Sequence, residues 1–298
     1  MLESEFNTIV LVVFSTFILS FILFKNKKIA RIIRLLIIFG TLISLFLNVN
    51  CSKFVLKFIK YSNEIYDIGD IVVNNYVLKT RIGPIIIDTG YPGGLKKFLD
   101  GLARINVSSY DIKYIFITHS HDDHVGFLKD LLDVTRCPVI IHPVGNKRLL
   151  LGQNVMKGGF TTLLAKLFGE ILKHTTESNH HFPPVELGDR ALLFEGKQIL
   201  RDAGLNADII ALPGHTEDSI GILFDNGDLF CGDASMSDFP SLGYHIIFCE
   251  NPQNYQKSLD VIFRSKAKLL YPSHGRPIEV ERLKKNIHFL DNKQMYPL

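Results

Sequence analysis

The chain has 298 residues, of which 47% are hydrophobic and 21% charged, so it can bury a sizeable core in one large domain or two small ones. Its formal net charge of +3 is too small to indicate a nucleic-acid partner. The four cysteines, Cys51, Cys137, Cys231 and Cys249, show no CxxC spacing, which argues against a zinc knuckle or a disulfide framework and predicts free or buried thiols.

The N-terminus accounts for the high mean hydropathy of +0.18. An uncharged run at 6–24 can cross a bilayer core of about 30 Å at about 1.5 Å per residue. A basic stretch follows, and then a second apolar run that extends over about 32–50 if Arg34 snorkels. A cleaved secretory signal is the alternative, but two apolar runs without a small-residue cleavage site fit it poorly. Residues 1–60 are therefore predicted to form a membrane anchor of one or two transmembrane helices.

The basic stretch between the two runs predicts the orientation of the anchor. If both segments span, the positive-inside rule puts this stretch in the cytoplasm and the domain after residue 60 on the outer face of the membrane. If only the first segment spans, that domain is cytoplasmic. Three lysines after the second run weaken the arrangement with the domain on the outer face, because they would lie on that face too: Lys53, Lys57 and Lys60.

From about residue 61, short strands, turns and amphipathic helices alternate, which predicts an α/β domain over 61–298. A hairpin around Asn74-Asn75 comes first. A strand at 84–87 then ends in Asp88-Thr89-Gly90, and a helix is predicted over 92–105. A buried strand at 114–118 leads into residues 119–124, and a helix and a strand at 138–141 follow.

Residues 119–124 pack three histidines and two carboxylates into six positions, His119-Ser120-His121-Asp122-Asp123-His124. Core packing does not require such a cluster. Imidazole nitrogens and carboxylate oxygens are the usual ligands of zinc and similar divalent metals, and a metal centre needs several of them to converge. The segment therefore predicts part of a metal site, in which Asp122 is expected to be only a solvated or locally capping carboxylate.

Residues from about 144 to 190 interrupt the alternation with a helix predicted over 160–173 and a polar loop at 175–184. An excursion of this length between core strands is typical of a lid or a substrate-contacting insertion. Three histidines lie in it, His174, His180 and His181, and they are expected to be solvated rather than to bind metal.

The core resumes with a strand over 207–212 that leads to Gly214-His215. A hairpin across Asn226-Gly227 joins strands at 219–224 and 228–231 and leads to Gly232-Asp233. A helix at 252–264, a strand at 268–271 that leads to His274-Gly275, and a helix from about 277 to 289 complete the chain. Three further potential ligands thus lie at strand ends, each beside a glycine that lets the backbone approach closely.

These residues resemble the metallo-β-lactamase-fold hydrolases. The match consists of H-x-H-x-D-H at 119–124, then Leu212-Pro213-Gly214-His215-Thr216, Cys231-Gly232-Asp233 and Ser273-His274-Gly275, in the order of the family and over about 68–280. The resemblance implies an αββα sandwich, here preceded by the predicted transmembrane helices, with two divalent metals at one edge. Zinc is the expected metal, and iron and manganese are the alternatives.

The resemblance also implies a role for each matched position. His119, His121 and His215 would bind the first metal, Asp123, His124 and His274 the second, and Asp233 would bridge them. Asp88 would orient a ligand histidine rather than bind metal. Asp123 and Asp233 would also belong to the catalytic machinery of a hydrolase in which hydroxide bound to the two metals attacks a carbonyl.

The carboxylate at 233 is similar to that of the glyoxalase II, lactonase and ribonuclease Z branches, so an ester, a lactone or a thioester is the predicted substrate. The apolar insertion and the membrane anchor favour a small, acyl-bearing molecule. Three alternatives stay open, namely phosphodiester hydrolysis, iron-dependent oxidation of the persulfide dioxygenase type, and a non-catalytic membrane sensor. The nearly balanced charge disfavours nucleic-acid processing.

Overall fold

The structure, a computed structural model, describes residues 57–175, 180–194, 198–241, 243–287 and 295–297. Both predicted transmembrane segments lie outside these ranges, so the anchor and its orientation stay predictions. Among the residues that are described, no helix combines the length and the apolar character needed to span a bilayer. Of the four cysteines, Cys137, Cys231 and Cys249 are buried free thiols, as predicted, and Cys51 lies outside the described ranges.

Short strands and helices alternate along the described chain. The strands are β1 (Ile59–Lys60), β2 (Ile65–Asp67), β3 (Tyr76–Thr80), β4 (Gly83–Ile87), β5 (Tyr114–Phe116), β6 (Val139–Ile141), β7 (Gly159–Phe160), β8 (Ala191–Leu193), β9 (Ala207–Ala211), β10 (Ile220–Phe224), β11 (Asp228–Gly232), β12 (Phe248–Cys249), β13 (Leu269–Pro272), β14 (Ile278–Glu279) and β15 (Tyr296–Pro297). The α-helices are α1 (Leu95–Arg104), α2 (Asp122–Val125), α3 (Leu128–Val134), α4 (Pro143–Leu149), α5 (Leu163–Thr175), α6 (Ile199–Asp202), α7 (Pro252–Arg264) and α8 (Val280–Asn286).

Two mixed sheets make up most of the domain. The larger has the strand order β1-β2-β3-β4-β5-β6-β8, antiparallel from β1 to β4 and parallel from β4 onward. The smaller has the order β14-β13-β11-β10-β9, in which β11 and β13 pair in parallel. A third sheet joins β7, from the predicted insertion, to β12 and β15.

Alternating side chains along the strands define the layers. Ile85 and Ile87 of β4 belong to a buried cluster with Ile222 and Phe230 of the smaller sheet, so these side chains pack between the two sheets. Ile86 points to the opposite face, where its cluster includes buried residues of α1 and α3. The smaller sheet has its outer face covered by α7 and α8. The domain is therefore an αββα sandwich.

The helix predicted at 252–264 has the expected bounds because both of its ends carry local signals. Asn251 caps it by accepting a hydrogen bond from Asn254 N at 2.9 Å, and Pro252 occupies the first turn. The start predicted for the last helix is wrong, because Ile278–Glu279 first pairs with β13 as β14. The sequence also did not predict β8, which extends the larger sheet beside β6.

The hairpin turn predicted at Asn74-Asn75 is wrong as well. β2 and β3 do pair antiparallel, but the connection between them covers 68–75 and is held from inside by buried Asp67, whose Oδ1 accepts from Gly69 N and Asn75 N. Asn74 is 1% exposed and donates through Nδ2 to the carbonyls of Pro272 and Gly275, at 2.8 and 2.7 Å. A buried connection that holds the end of β13 therefore replaces the expected surface turn.

Candidate metal centre

The structure brings together all the side chains for which the resemblance implied a metal. They follow the C-terminal ends of four strands, β5, β9, β11 and β13, which lie at one edge of the sandwich. Their nitrogen and oxygen atoms form three overlapping groups, and within each group the atoms lie within 4.8 Å of one another. These groups are His119 with His121 and His215, His119 with His124 and Asp233, and Asp123 with His124 and His274.

The first group consists of three imidazoles. His121 Nδ1 lies 3.2 Å from His119 Nε2 and 3.1 Å from His215 Nε2. Ligands about 2.0–2.1 Å from a tetrahedral zinc ion are separated by roughly 3.3–3.4 Å, so the nitrogens are already spaced almost as zinc ligands are. We call this set the three-histidine group.

The second group combines carboxylates with imidazoles, and we call Asp123, His124 and His274 the mixed group. His274 Nε2 lies 3.2 Å from Asp123 Oδ2, and His124 Nε2 lies 3.5 Å from Asp123 Oδ1. Asp233 stands between the two groups, since its Oδ2 is 3.4 Å from both His215 Nε2 and His274 Nε2. A single carboxylate thus faces both sets of ligand atoms.

Three buried atoms of the ligand side chains lack hydrogen-bond partners, namely His121 Nε2, His124 Nε2 and Asp233 Oδ1. His124 Nε2 and Asp233 Oδ1 are both buried and unsatisfied, and the 3.7 Å between them is too long for a hydrogen bond. Burying such groups without a partner costs free energy, so native proteins rarely do it unless another species satisfies them. A cation between His124 Nε2 and Asp233 Oδ1 would satisfy both, and the donor set therefore fits divalent metal.

In His215 and His274, the ring nitrogen that does not face the site is fixed by a backbone carbonyl. His215 Nδ1 lies 2.9 Å from the carbonyl oxygen of Phe248, and His274 Nδ1 lies 2.7 Å from that of Val72. Because a carbonyl can only accept, both rings carry a proton on Nδ1, and Nε2 is the nitrogen that faces the site. These contacts prepare the histidines for metal.

Asp88 orients His124 in the same way. It is fully buried, and its Oδ2 lies 2.8 Å from His124 Nδ1 and accepts from Thr118 Oγ1 at 2.8 Å and Ser273 Oγ at 3.2 Å. Its Oδ1 accepts from Thr118 N at 2.8 Å. Asp88 also has φ 60°, a conformation in which aspartate and asparagine are enriched among residues other than glycine.

Asp122 was expected to be solvated or locally capping, and the first of these expectations is wrong. Its side chain is buried because Asn154, from the predicted insertion, covers it and donates through Nδ2 to Asp122 Oδ1 at 2.6 Å. Asn154 Oδ1 in turn accepts from Asp122 N at 2.8 Å, so its amide caps α2, the single turn that carries Asp123 and His124. His181 is exposed, as expected, and His180 is partly exposed. The side chain of His174 is outside the described part of the chain.

Two of the glycines predicted beside the ligands are required for close approach. A Cβ at Gly214 would lie 2.4 Å from Tyr255 Cα, and one at Gly232 would lie 2.8 Å from Thr118 Cβ. Both glycines also have positive φ, 143° and 55° respectively. They allow the loops that carry His215 and Asp233 to pack against α7 and against the end of β5.

The three-histidine group is electrostatically suited to neutral imidazoles. Burial, together with the neighbouring imidazole of His124, lowers the pKa of His119 well below its usual value. Burial and the imidazole of His215 do the same to the pKa of His121. Both side chains therefore stay unprotonated at neutral pH, which is the form that binds metal.

In the mixed group, carboxylates counteract burial. Burial alone would lower the pKa of His124, but Asp123, Asp88 and Asp233 outweigh it and raise the pKa to about 9. Burial opposes protonation of His274 too, yet Asp233 and Asp123 raise its pKa well above the usual value. These two histidines hold protons only while no metal is bound, so metal binding here displaces protons.

Two phenylalanines, Phe248 and Phe160, border the three-histidine group, and we call them the aromatic wall. The ring centroid of Phe248 lies 6.2 Å from that of His121 and 5.9 Å from that of His215. Phe160 of the predicted insertion packs edge-on against Phe248, with centroids 5.9 Å apart. Neither phenylalanine lies in a sequence motif, so neither could be recognised as part of the site from the sequence.

Comparison with known proteins agrees with the family resemblance that the αββα fold and the histidine and aspartate cluster indicate. The family model of the metallo-beta-lactamase superfamily matches residues 68–274, and the chain therefore belongs to this superfamily. A solved structure of an archaeal member from Sulfolobus tokodaii is 22% identical, has a TM-score of 0.53, and is aligned over 76% of this chain and 84% of that one.

Two curated sequence relatives match about two thirds of this chain. A Drosophila melanogaster protein, Beta-lactamase-like protein 2 homolog, is 28% identical over 212 residues, which cover 69% of this chain and 59% of that protein. Atrochrysone carboxyl ACP thioesterase of Emericella nidulans is 25% identical over 204 residues, which cover 68% of this chain and 51% of that protein. The chain thus spans only a little over half the length of these relatives.

Proposed function

We propose that this chain is a hydrolase that holds two divalent metal ions, with zinc as the first choice, and cleaves an acyl ester, lactone or thioester. The three-histidine group would bind one ion and the mixed group the other, and Asp233 would be shared. The observation that carries the proposal is the position of Asp233 between the two groups, because its Oδ2 is 3.4 Å from a histidine of each.

The chemistry supplied by such ions is Lewis acidity, which makes water nucleophilic near neutral pH and polarises a carbonyl. The chain's own residues prepare for it. Phe248 O and Val72 O hold the His215 and His274 rings in one tautomer. Burial would raise the pKa of Asp233, but the imidazoles of His274, His124 and His215 outweigh it and keep this carboxylate ionised. Asp123 is kept ionised in the same way by His124 and His274.

The choice of an acyl substrate rests on the aromatic wall and on α5. Phe248 lies beside His121 and His215, and α5 packs so closely on Phe160 that a Cβ at Gly169 would lie 2.4 Å from the Phe160 ring. On the same helix, Leu163 and Leu167 are 53% and 51% exposed. An acyl chain that extended from Phe248 along α5 would find apolar contacts on this helix. The thioesterase among the relatives agrees with this choice.

Metal analysis combined with a substrate panel tests the proposal. The purified chain should hold about two metal ions, and their removal by chelation should lower ester or thioester hydrolysis roughly a thousandfold, with recovery on adding zinc. The panel would contain acyl esters, thioesters and lactones of increasing chain length, a bis-phosphodiester and a persulfide. Faster turnover of the bis-phosphodiester, or oxygen consumption with iron and the persulfide, would replace the proposal by that activity. A chain that binds no metal would contradict it.

A shortened side chain at Phe248 tests the acyl contact. We expect Phe248→Leu to raise KM for long acyl esters several-fold while KM for acetyl esters changes little, because a long chain would bury more apolar surface against the phenyl ring than an acetyl group does. Phe98→Leu is the matched control, because Phe98 lies on α1, is 2% exposed and belongs to the hydrophobic core. Equal effects of both variants on both substrates would show that Phe248 only contributes to stability.

A further inference from the structure

A buried arginine lies behind the three-histidine group. Arg148 on α4 is 7% exposed and donates through Nη1 to Asp218 Oδ1 at 2.7 Å and to Glu250 Oε1 at 3.0 Å. Its Nη2 donates to Glu250 Oε2 at 3.2 Å. Asp218 is fully buried, so one planar guanidinium holds two shielded carboxylates in fixed positions. We call these three residues the arginine network.

The first carboxylate of the network reaches the loop between two ligand histidines. Asp218 Oδ2 accepts a hydrogen bond from Ser120 N at 2.9 Å, and Ser120 separates His119 from His121. Ser120 is only 2% exposed, so its amide hydrogen has little access to water. Arg148 therefore fixes, through Asp218, the backbone from which His119 and His121 extend.

The second carboxylate reaches the loop that carries the third histidine. Glu250 Oε2 accepts from Glu217 N at 2.8 Å, and Glu250 N donates to the carbonyl oxygen of His215 at 3.1 Å. The two ligand loops follow different strands in different sheets, β5 and β9. The arginine network is thus a direct connection between the loops that together form the three-histidine group.

We infer that Arg148 is a positioning residue that sets the metal affinity of the three-histidine group and leaves that of the mixed group unaffected. The inference rests on the proposed function, because it requires that both groups bind metal. His124 and His274 are oriented by other groups, Asp88 and the carbonyl of Val72, so a change at Arg148 should separate the two affinities. Partners that orient metal ligands typically contribute about 10–100-fold to affinity.

Metal titration in two backgrounds tests the inference. His274→Ala disables the mixed group, and His215→Ala disables the three-histidine group. Metal-free protein is titrated with zinc against a competing chelator, with and without Arg148→Gln. We expect Arg148→Gln to weaken zinc binding about 10–100-fold in the His274→Ala background and by less than about threefold in the His215→Ala background. Equal losses in both backgrounds, or no loss in either, would overturn the inference.

Two more variants exclude a general loss of stability. Arg148→Lys keeps the positive charge and should therefore fold more readily than Arg148→Gln. An ammonium group cannot bind both carboxylates as the planar guanidinium does, so we expect zinc affinity to fall about tenfold in the His274→Ala background. Arg201→Gln is the matched control, because Arg201 also pairs with two carboxylates, Asp208 and Asp225, at the opposite end of β9. If Arg201→Gln weakened zinc binding as much as Arg148→Gln, the positioning role would be excluded.

The unmodified chain is measured in the same titration. If it binds no zinc, the proposed function fails and the inference fails with it. If it binds about two ions and Arg148→Lys binds them equally tightly, the inference alone is wrong. The two failures are thus distinguishable.

Discussion

Asp233→Asn should lower ester or thioester hydrolysis by roughly a thousandfold and reduce the metal content from about two ions per chain towards one. Asp233 faces a histidine of each group at 3.4 Å, so its charge is shared by both. Asparagine keeps the shape but removes the negative charge and one acceptor oxygen. The two groups would then lose the only carboxylate that lies between them among the described residues.

The measurement combines metal analysis with steady-state kinetics on the same preparation. Asp228→Asn is the matched control, because Asp228 begins the strand that ends beside Asp233 and lies at the opposite, exposed turn. This control should retain metal content and activity. An Asp233→Asn protein that kept two ions and its full rate would refute a shared carboxylate, while loss of both ions would show that the two groups bind metal only together.

The sequence predicted those parts of the fold that have local signals. The Asn226-Gly227 turn connects β10 and β11 as expected, and α7 has its predicted bounds because its cap and its proline lie next to each other in the chain. Two-residue strands such as β14 give no periodicity to detect. Their existence depends on a neighbouring strand, which is why the final helix was predicted to begin too early.

The ligand positions could be predicted because His119 to His124 form a dense cluster after one strand, and His215, Asp233 and His274 each follow another strand end beside a glycine, in the order of the family that the sequence resembles. The residues that hold the ligands could not, since their partners are distant in sequence. Arg148 contacts Asp218 and Glu250, which lie 70 and 102 residues further along the chain. Asn74 was interpreted as a turn residue for the same reason, because the carbonyls it binds are 198 and 201 residues away.

The insertion from about 144 to 190 has a wider role than the sequence analysis gave it. Its length predicts a lid or a substrate contact, and the apolar surface of α5 is consistent with that prediction. Asn154 and Arg148 show a second role. Asn154 accepts directly from Asp122 N, whereas Arg148 binds Asp218, which accepts from Ser120 N between His119 and His121. The same segment therefore contacts the ligand loop and borders the site, so its replacement would change metal binding as well as substrate preference.

Asp88→Asn is expected to have the second large effect, with metal bound by the mixed group about 10–100-fold more weakly. Asparagine tolerates the positive φ of this position, so backbone strain does not explain the outcome. Thr118 N needs an acceptor at Oδ1, so the new amide NH2 must take the place of Oδ2. The hydroxyls of Thr118 and Ser273 can rotate and accept from it, but a protonated His124 Nδ1 cannot.

In the variant the neutral His124 ring therefore carries its proton on Nε2, the atom that faces the mixed group. Metal at Nε2 would push that proton to Nδ1, where the amide NH2 cannot accept it, whereas Asp88 accepts it in the unmodified protein. Unsatisfied donors should also lower the free energy of unfolding of the metal-free protein by about 1–3 kcal/mol. Nitrogen NMR of the His124 ring reports the tautomer, and zinc titration reports the affinity. Asp208→Asn, remote from the site, serves as the control. An Asp88→Asn protein with the proton still on Nδ1 and unchanged zinc affinity would show that Asp88 stabilises the fold without orienting His124.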